Sequence, residues 1–254
     1  MLPPHAVCHA IILAAGMGTR LRSVVDGRPK GLIEIAGEAL VGRSVRLLRR
    51  AGVDHITIVT GFAAEYYQRF ALGRSEIELK HNDAFATTGS MASLAVGLGD
   101  VQHDVLVLES DIVYEARALS HVLESIARDS TLISGPTAAG DEVWVSAPAG
   151  RLHAMSKNAH ELTTIHGEFV GITRLSAAAA RAMRDVFERF VATHGHARMD
   201  YETDALVAVS RQYRVAALLV ADLCWGEIDD DRQFERVVER VWPVVGDQQP
   251  PVVT

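Results

Sequence analysis

Ile11-Ile12-Leu13-Ala14-Ala15-Gly16-Met17-Gly18-Thr19-Arg20-Leu21-Arg22-Ser23-Val24-Val25-Asp26-Gly27-Arg28-Pro29-Lys30 is the stretch on which the reading of this chain turns. An apolar strand runs straight into a loop of small residues, and Lys30 follows a proline ten residues after Arg20. Small residues at the C-terminal end of a strand let the backbone approach a ligand closely, and their N–H groups can line up on an anion. Arg20 and Lys30 add two cations to the same spot. Leu13, Ala14, Ala15, Gly16, Met17, Gly18 and Thr19 are therefore expected to line a nucleotide's triphosphate, with Arg20 and Lys30 against the phosphates. The competing reading is an ordinary strand-to-loop turn that uses glycine for positive φ and leaves both cations solvated.

Two familiar phosphate loops are excluded. The dinucleotide fingerprint G-x-G-x-x-G needs glycine at position 21, where Leu21 stands. The Walker loop fails at the same residue, the sixth position counted from Gly16. The pattern that fits, L-x-A-G-x-G-T-R followed by P-K, resembles the signature of nucleotidyltransferases, which join a nucleoside triphosphate to a phosphorylated small molecule.

Composition sets further bounds. The chain has 254 residues, 48% of them hydrophobic and 22% charged, as in an ordinary globular protein. A net charge of −7 without a long basic run argues against nucleic acid as a partner, because its phosphates would demand a clustered positive face. Arg43, Arg46, Arg49 and Arg50 fall at helical spacing and read as a solvated face. The two cysteines, Cys8 and Cys224, lie in apolar, strand-like surroundings and are expected to be reduced core residues. The N-terminal apolar run continues into the loop and so reads as a core strand, not a signal peptide. The run from Val215 to Ala221 is too short to span a bilayer. A soluble cytoplasmic protein with no membrane partner is expected, and a homodimer stays open.

Apolar β-branched runs alternate with helical periodicity through the first half, predicting strands near 9–14, 55–60, 76–81 and 104–109 and helices near 41–51, 63–72, 89–97 and 115–127. Such alternation implies an α/β fold with a mostly parallel sheet and helices on both faces. Shorter strands at 131–135, 142–147, 151–156 and 166–173 are expected either to extend the sheet with antiparallel pieces or to build a flap. Helices over 176–193, 201–211 and 231–241 follow, with strands at 214–220 and up to Ile228. Residues 1–242 read as one domain, and the proline-rich 243–254 as a disordered tail.

Ligands of open parallel sheets sit at the carboxyl ends of the strands, so the residues there carry the chemistry. Asp111 follows the apolar strand ending at Leu108 and suits Mg²⁺, the usual companion of a triphosphate; its alternative role is an N-cap for the segment from Glu115. Asp229, ending Trp225-Gly226-Glu227-Ile228-Asp229, is expected to supply the second carboxylate to the same metal, with Asp231 capping the last helix. Glu109 and Ser110 read as supporting residues. Thr88, Gly89, Ser90 and Ser93 open a helix with hydroxyl and N–H groups suited to a base edge or ribose, though they are also ordinary caps. Lys157 is either solvated or, beneath a flap, a partner for an acceptor phosphate. His194 and His196, with no third ligand, do not make a zinc site.

These segments together are similar to the nucleotidyltransferase superfamily from residue 8 to 241. Gly167-Glu168-Phe169-Val170-Gly171-Ile172 and Asp200-Tyr201-Glu202-Thr203 complete the likeness, which lies nearest the small cytidylyltransferases acting on phosphocholine and 2-aminoethylphosphonate. The resemblance implies a Rossmann-like nucleotidyltransferase fold, Mg²⁺ held by Asp111 and Asp229, and cytosine and ribose contacts from the loop and the 88–93 segment. It also implies a substrate pocket for a choline or amine group, built from aromatics and acids, to which Lys157, Glu168, Asp200, Tyr201, Glu202 and Trp144 are assigned. The expected partners are CTP and a small phosphorylated or phosphonate acceptor, with an aminophosphonate preferred over choline because Trp144 is displaced and Gly89 stands where the choline enzymes tend to carry asparagine. The expected reaction is attack of the acceptor's oxygen on the α-phosphorus, aided by Lys30, Arg20, Asp111 and Asp229. A sugar-1-phosphate nucleotidyltransferase and a non-catalytic nucleotide-binding regulator are the alternatives.

Overall fold

The first strand sets the architecture. Ile11 and Ile12 on neighbouring positions point to opposite faces, and both are fully buried, so each face must be covered by helices. In the structure, a computed structural model that describes residues 7–21 and 27–246, this is what surrounds them. The strands are β1 (His9–Ala14), β2 (Glu34–Ile35), β3 (Glu38–Ala39), β4 (His55–Thr60), β5 (Ile77–His81), β6 (Val105–Glu109), β7 (Ile112–Tyr114), β8 (Ser130–Ser134), β9 (Trp144–Ser146), β10 (Ala154–Ser156), β11 (Gly167–Leu175), β12 (Ala216–Val220) and β13 (Trp225–Glu227). The helices are α1 (Leu40–Arg50), α2 (Ala64–Ala71), α3 (Ser90–Leu98), α4 (Arg117–Leu123), α5 (Ala177–His194), α6 (Val207–Ser210), α7 (Asp231–Arg236) and α8 (Trp242–Val245). A π-helical segment, Tyr201–Leu206, runs into α6, and another, Val237–Val241, joins α7 to α8.

Strands β5, β4, β1 and β6 lie side by side and parallel. β11 runs antiparallel to β6, β8 antiparallel to β11, and β12 parallel to β8. β11 is thus the one reversed strand in a row of seven, and the mostly parallel α/β sheet expected from the alternation is present. Ile12, Ile58, Leu106 and Leu108 pack with α1, α2 and α4 on one face; Ile11, Val59, Val105 and Val107 pack with α3 and α5 on the other. The middle strands both extend the sheet and form a projection. The β9–β10 hairpin joins β11 at Gly167 and Glu168, along the edge that β6 occupies from Ile172 onward, so the hairpin stands beyond the carboxyl end of β6.

Some expectations need correction. Helix α4 ends at Leu123, short of the predicted 127. The β2–β3 hairpin was not predicted; its two-residue turn puts Ala36 and Gly37 at positive φ, and alanine gives no signal for such a turn. Arg43 is not on a solvated face: it is 2% exposed, lies over the Tyr114 ring and donates to the Val245 carbonyl at 2.8 Å. The tail expected to be disordered from 243 begins inside α8, whose Val245 is buried; residues 247–254 lie outside the described ones. Cys8 is exposed and Cys224 half-buried, so neither is a core residue, although both are free thiols. Among the described residues no helix is long and apolar enough to cross a membrane.

Candidate active site

The carboxyl ends of β1 and β6 open on a cavity of about 270 Å³. Leu13, Ala14, Ala15 and Gly16 form one wall, Phe85, Thr88, Gly89, Ser90 and Ser93 a second, and Glu109, Ser110, Asp111, Glu227 and Asp229 the acidic floor, with Lys30 and Tyr201 between them. Met17, Gly18, Thr19 and Arg20 lie outside the lining set. Gly18 still belongs to the design. Its φ is +59°, and a Cβ there would stand 2.7 Å from Lys30 Cγ, so only glycine lets the loop ride over the lysine stem.

The acidic floor is assembled from distant segments by a short antiparallel pair. β7 pairs with β13, setting Ile112 opposite Glu227, and the Ile228 N–H donates to the Asp111 carbonyl at 3.0 Å. Asp111 and Asp229 thereby converge on Lys30, whose Nζ donates to Asp111 Oδ2 at 2.6 Å and to Asp229 Oδ1. Arg20 donates to Asp229 Oδ2 at 2.6 Å and to Asp141 Oδ2 at 3.0 Å. The expected division of labour after β13 is corrected in one respect. Asp230, not Asp231, caps α7, accepting from the Gln233 N–H at 2.8 Å, which leaves Asp229 aimed at the cations.

Charge follows from this arrangement. Burial alone would raise the Asp229 carboxyl, but the Lys30 ammonium and the Arg20 guanidinium outweigh it and hold Asp229 at about 2. Burial opposes the charge of Lys30, yet its two carboxylates keep it well above the usual ammonium range. Glu109 and Glu227 feel the Lys30 ammonium less: burial first, then Glu202 for the one and Asp111 for the other, outweighs it and pushes both well above the carboxylate range. Glu202 is pushed up to about 7 by burial and by Asp200. One oxygen each from Glu109, Asp111 and Glu227 can be chosen so that all three lie within 4.8 Å of one another. Hard oxygen donors in negative excess are the donor set a divalent cation such as Mg²⁺ takes, so these residues fit such an ion.

The wall formed by residues 82–93 is organised by Asn82, which the sequence did not single out. Its side-chain amide donates to Thr88 Oγ1 at 3.2 Å and Ser93 Oγ at 3.1 Å. The segment 197–199 lies across the start of α3, where Gly89 N–H donates to the Ala197 carbonyl and Met91 N–H to the Met199 carbonyl, both at 3.0 Å. A Cβ at position 89 would strike the Met199 carbonyl, which is why glycine stands there. Ser90 Oγ accepts from Tyr201 N–H at 2.9 Å and donates to Glu202 Oε2 at 3.2 Å, so this hydroxyl ties the wall to the next segment.

Of the six residues assigned to the acceptor, Tyr201 alone lines the cavity. It also packs in the core edge-on to Phe169, so the pocket and packing readings both describe it. Its hydroxyl faces the Glu109 carboxylate without a hydrogen bond of regular geometry. Glu202 is buried behind Ser90, and Asp200 accompanies Asp204. Glu168 is buried elsewhere, accepting from Thr137 N–H at 2.7 Å and its hydroxyl at 2.9 Å, and so pins the β8–β9 connection. Trp144 pairs with Glu168 and Ser156 in the hairpin. Lys157 is largely exposed, 3.8 Å from Asp141 Oδ1. Sequence reasoning missed Glu227, Tyr67, Phe85 and Asp141. Glu227 was within reach, since it ends β13 two residues before Asp229 and lines the same cavity.

Residues 10–228 match the model of the MobA-like NTP transferase domain, and the chain belongs to that family of nucleotidyltransferases. It is 29% identical over 244 residues to the CMP-5'-(3-aminopropyl)phosphonate synthase of Streptomyces rubellomurinus, covering 89% of this chain and 38% of that protein. It is 31% identical over 105 residues to the choline-phosphate cytidylyltransferase of Haemophilus influenzae, covering 41% of this chain and 44% of the relative. The matches thus span less than half the length of either protein. Among solved structures, the inositol-1-phosphate CTP transferase of T. maritima superposes with a TM-score of 0.76 at 17% identity, over 94% of this chain and 98% of the other, which shows a shared fold.

Proposed function

We propose that this chain transfers CMP from CTP to the phosphonate or phosphate oxygen of a small acceptor that carries an ammonium group, releasing pyrophosphate. The observation that carries this reading is the meeting, in one cavity, of the small-residue loop, the buried Lys30 ammonium and an acidic floor beside Tyr201, with the exposed Arg20 bonded to Asp229 from outside the lining. The names of the relatives, one making a CMP-aminophosphonate and one acting on choline phosphate, support both the nucleotide and the class of acceptor. Asp111 and Asp229, with Glu109 and Glu227 beside them, would hold Mg²⁺, and the ion when bound supplies charge neutralisation at the phosphates. Lys30 and Arg20 then neutralise charge that develops as the acceptor oxygen bonds to the α-phosphorus and the bond to the pyrophosphate oxygen breaks. The acceptor oxygen is already anionic, so no general base is required. Glu109, on the cavity floor beside Tyr201, is the acid placed to meet the acceptor's ammonium group.

Pyrophosphate release is the direct test, with four nucleoside triphosphates each offered 2-aminoethylphosphonate, phosphocholine and several sugar 1-phosphates. CTP with an amine-bearing acceptor should give the highest kcat/KM. A faster reaction with an uncharged sugar phosphate than with any amine would replace the acceptor assignment, and a preference for another nucleotide would replace the cytidylyl assignment. Binding without turnover of any pair would make the chain a nucleotide-binding regulator.

A further inference from the structure

Lys30 lies between Asp111 and Asp229, at the place the proposed metal would take. The ammonium donates to Asp111 and Asp229 at once, and its side chain is 13% exposed against 13% and 9% for the two carboxylates. Arg20 takes the remaining oxygen of Asp229. Two of the proposed metal carboxylates are therefore satisfied from within the chain, by the very cations assigned to the phosphates. A divalent ion brought between Asp111 and Asp229 with the ammonium in place would meet like charge at close range inside a half-dry site, where screening is weak. Removing the cation without replacement would leave two buried carboxylates facing each other, which is also unfavourable. With Arg20 on the outer oxygen of Asp229, one further positive group is needed between the two carboxylates, and the lysine stem, riding under Gly18, leads directly to the loop wall of the cavity.

We propose that Lys30 is a stand-in cation: its ammonium fills the metal's place while the site is empty and moves to the phosphates only when metal and triphosphate arrive together. This rests on the reading that Asp111 and Asp229 hold the metal. Binding of the two ligands is then coupled by a swap. The metal alone must displace the lysine with nowhere for it to go, and the nucleotide alone must draw the lysine off carboxylates that are left bare. The coupling is reciprocal, each ligand raising the affinity of the other by the same factor.

The test is titration of Mn²⁺ into the nucleotide-free protein, followed by calorimetry and by the melting temperature. Lys30→Gln removes the charge and keeps hydrogen-bond donors; it should bind Mn²⁺ at least about tenfold more tightly than the parent, although its turnover falls. Lys30→Arg retains a cation and should bind Mn²⁺ as weakly as the parent. Mn²⁺ should raise the melting temperature of Lys30→Gln more than that of the parent, and a variant that folds only once Mn²⁺ is added would show the same exchange. Equal or weaker Mn²⁺ affinity in Lys30→Gln, equal tightening in Lys30→Arg, or a Lys30→Gln chain that Mn²⁺ does not restore would each overturn the proposal. No nucleotide or acceptor enters this titration. Its failure would leave CMP transfer standing, and the wrong nucleotide in the release assay would leave the exchange standing.

Discussion

At the scale of single residues, Asp229 carries more of the site than any other side chain, since it touches both Lys30 and Arg20 and stands among the proposed metal ligands. Asp111→Asn and Asp229→Asn should each cut turnover by about 100-fold or more, which is ~2.7 kcal/mol at the transition state. Both should keep a cooperative melting transition, because neither opens a cavity. Near-normal rates at saturating Mg²⁺ would remove that carboxylate from the metal site. Tyr201 offers a sharper division. Its ring both borders the cavity and packs on Phe169. Tyr201→Ala should raise the KM for an amine-bearing acceptor by about tenfold or more, the loss of a desolvated aromatic face, with little change in the KM for CTP. Tyr201→Phe should be mild in both. Parallel losses for the two substrates, together with a lowered melting temperature, would assign Tyr201 to the core alone.

At the scale of elements, the strap 197–199 over the start of α3 is the contact most sensitive to a single methyl group. Gly89→Ala would drive its Cβ into the Met199 carbonyl, an overpacking that costs about 1–3 kcal/mol. Denaturant unfolding should show that loss, and acceptor affinity should fall with it, because Tyr201 hangs from the same strap through Ser90. Unchanged stability would mean that the strap yields freely. The elements themselves were largely legible in the sequence. β1, β4, β5 and β6 fall within a residue of their predicted bounds: β1, β4 and β6 are buried parallel strands with apolar runs, and the half-buried edge strand β5 alternates apolar and polar residues. Asp111 and Asp229 could be singled out for the same reason, as charges ending apolar strands. Asn82, Asp141 and the burial of Glu168 were not legible, since their partners are 6 to 121 residues away along the chain and follow no local period. Arg43 was misread because a helical charge pattern does not say that α8 will cover it.

At the scale of the whole molecule, acid tolerance should be governed in part from the end of the sheet opposite the cavity. His9, on β1, is 2% exposed, stacks on His55 at 4.3 Å and contacts His103 and Thr57 through its two ring nitrogens at 3.0 and 2.9 Å. Burial, with His55, His103 and Lys80 nearby, lowers it to about 3. Its unfolded value is 6.5, so the unfolded chain takes up the proton first. The stability that neutral His9 provides is complete above 6.5 and is lost as pH falls toward 3, about 3 kcal/mol of it by pH 4. His9→Gln should flatten that part of the stability curve, and an unchanged acid limb would assign the loss to other groups.

The pairing of Lys30 with Asp229 also has a consequence in time. The two residues are 199 apart in the chain, and the bond between them forms through β13, which is joined to β7. A growing polypeptide can complete β1 and the loop after it long before the carboxylate that completes the centre has left the ribosome. Contacts of such long separation close late and slowly. The acidic floor should therefore close only after the body of the sheet is already in place.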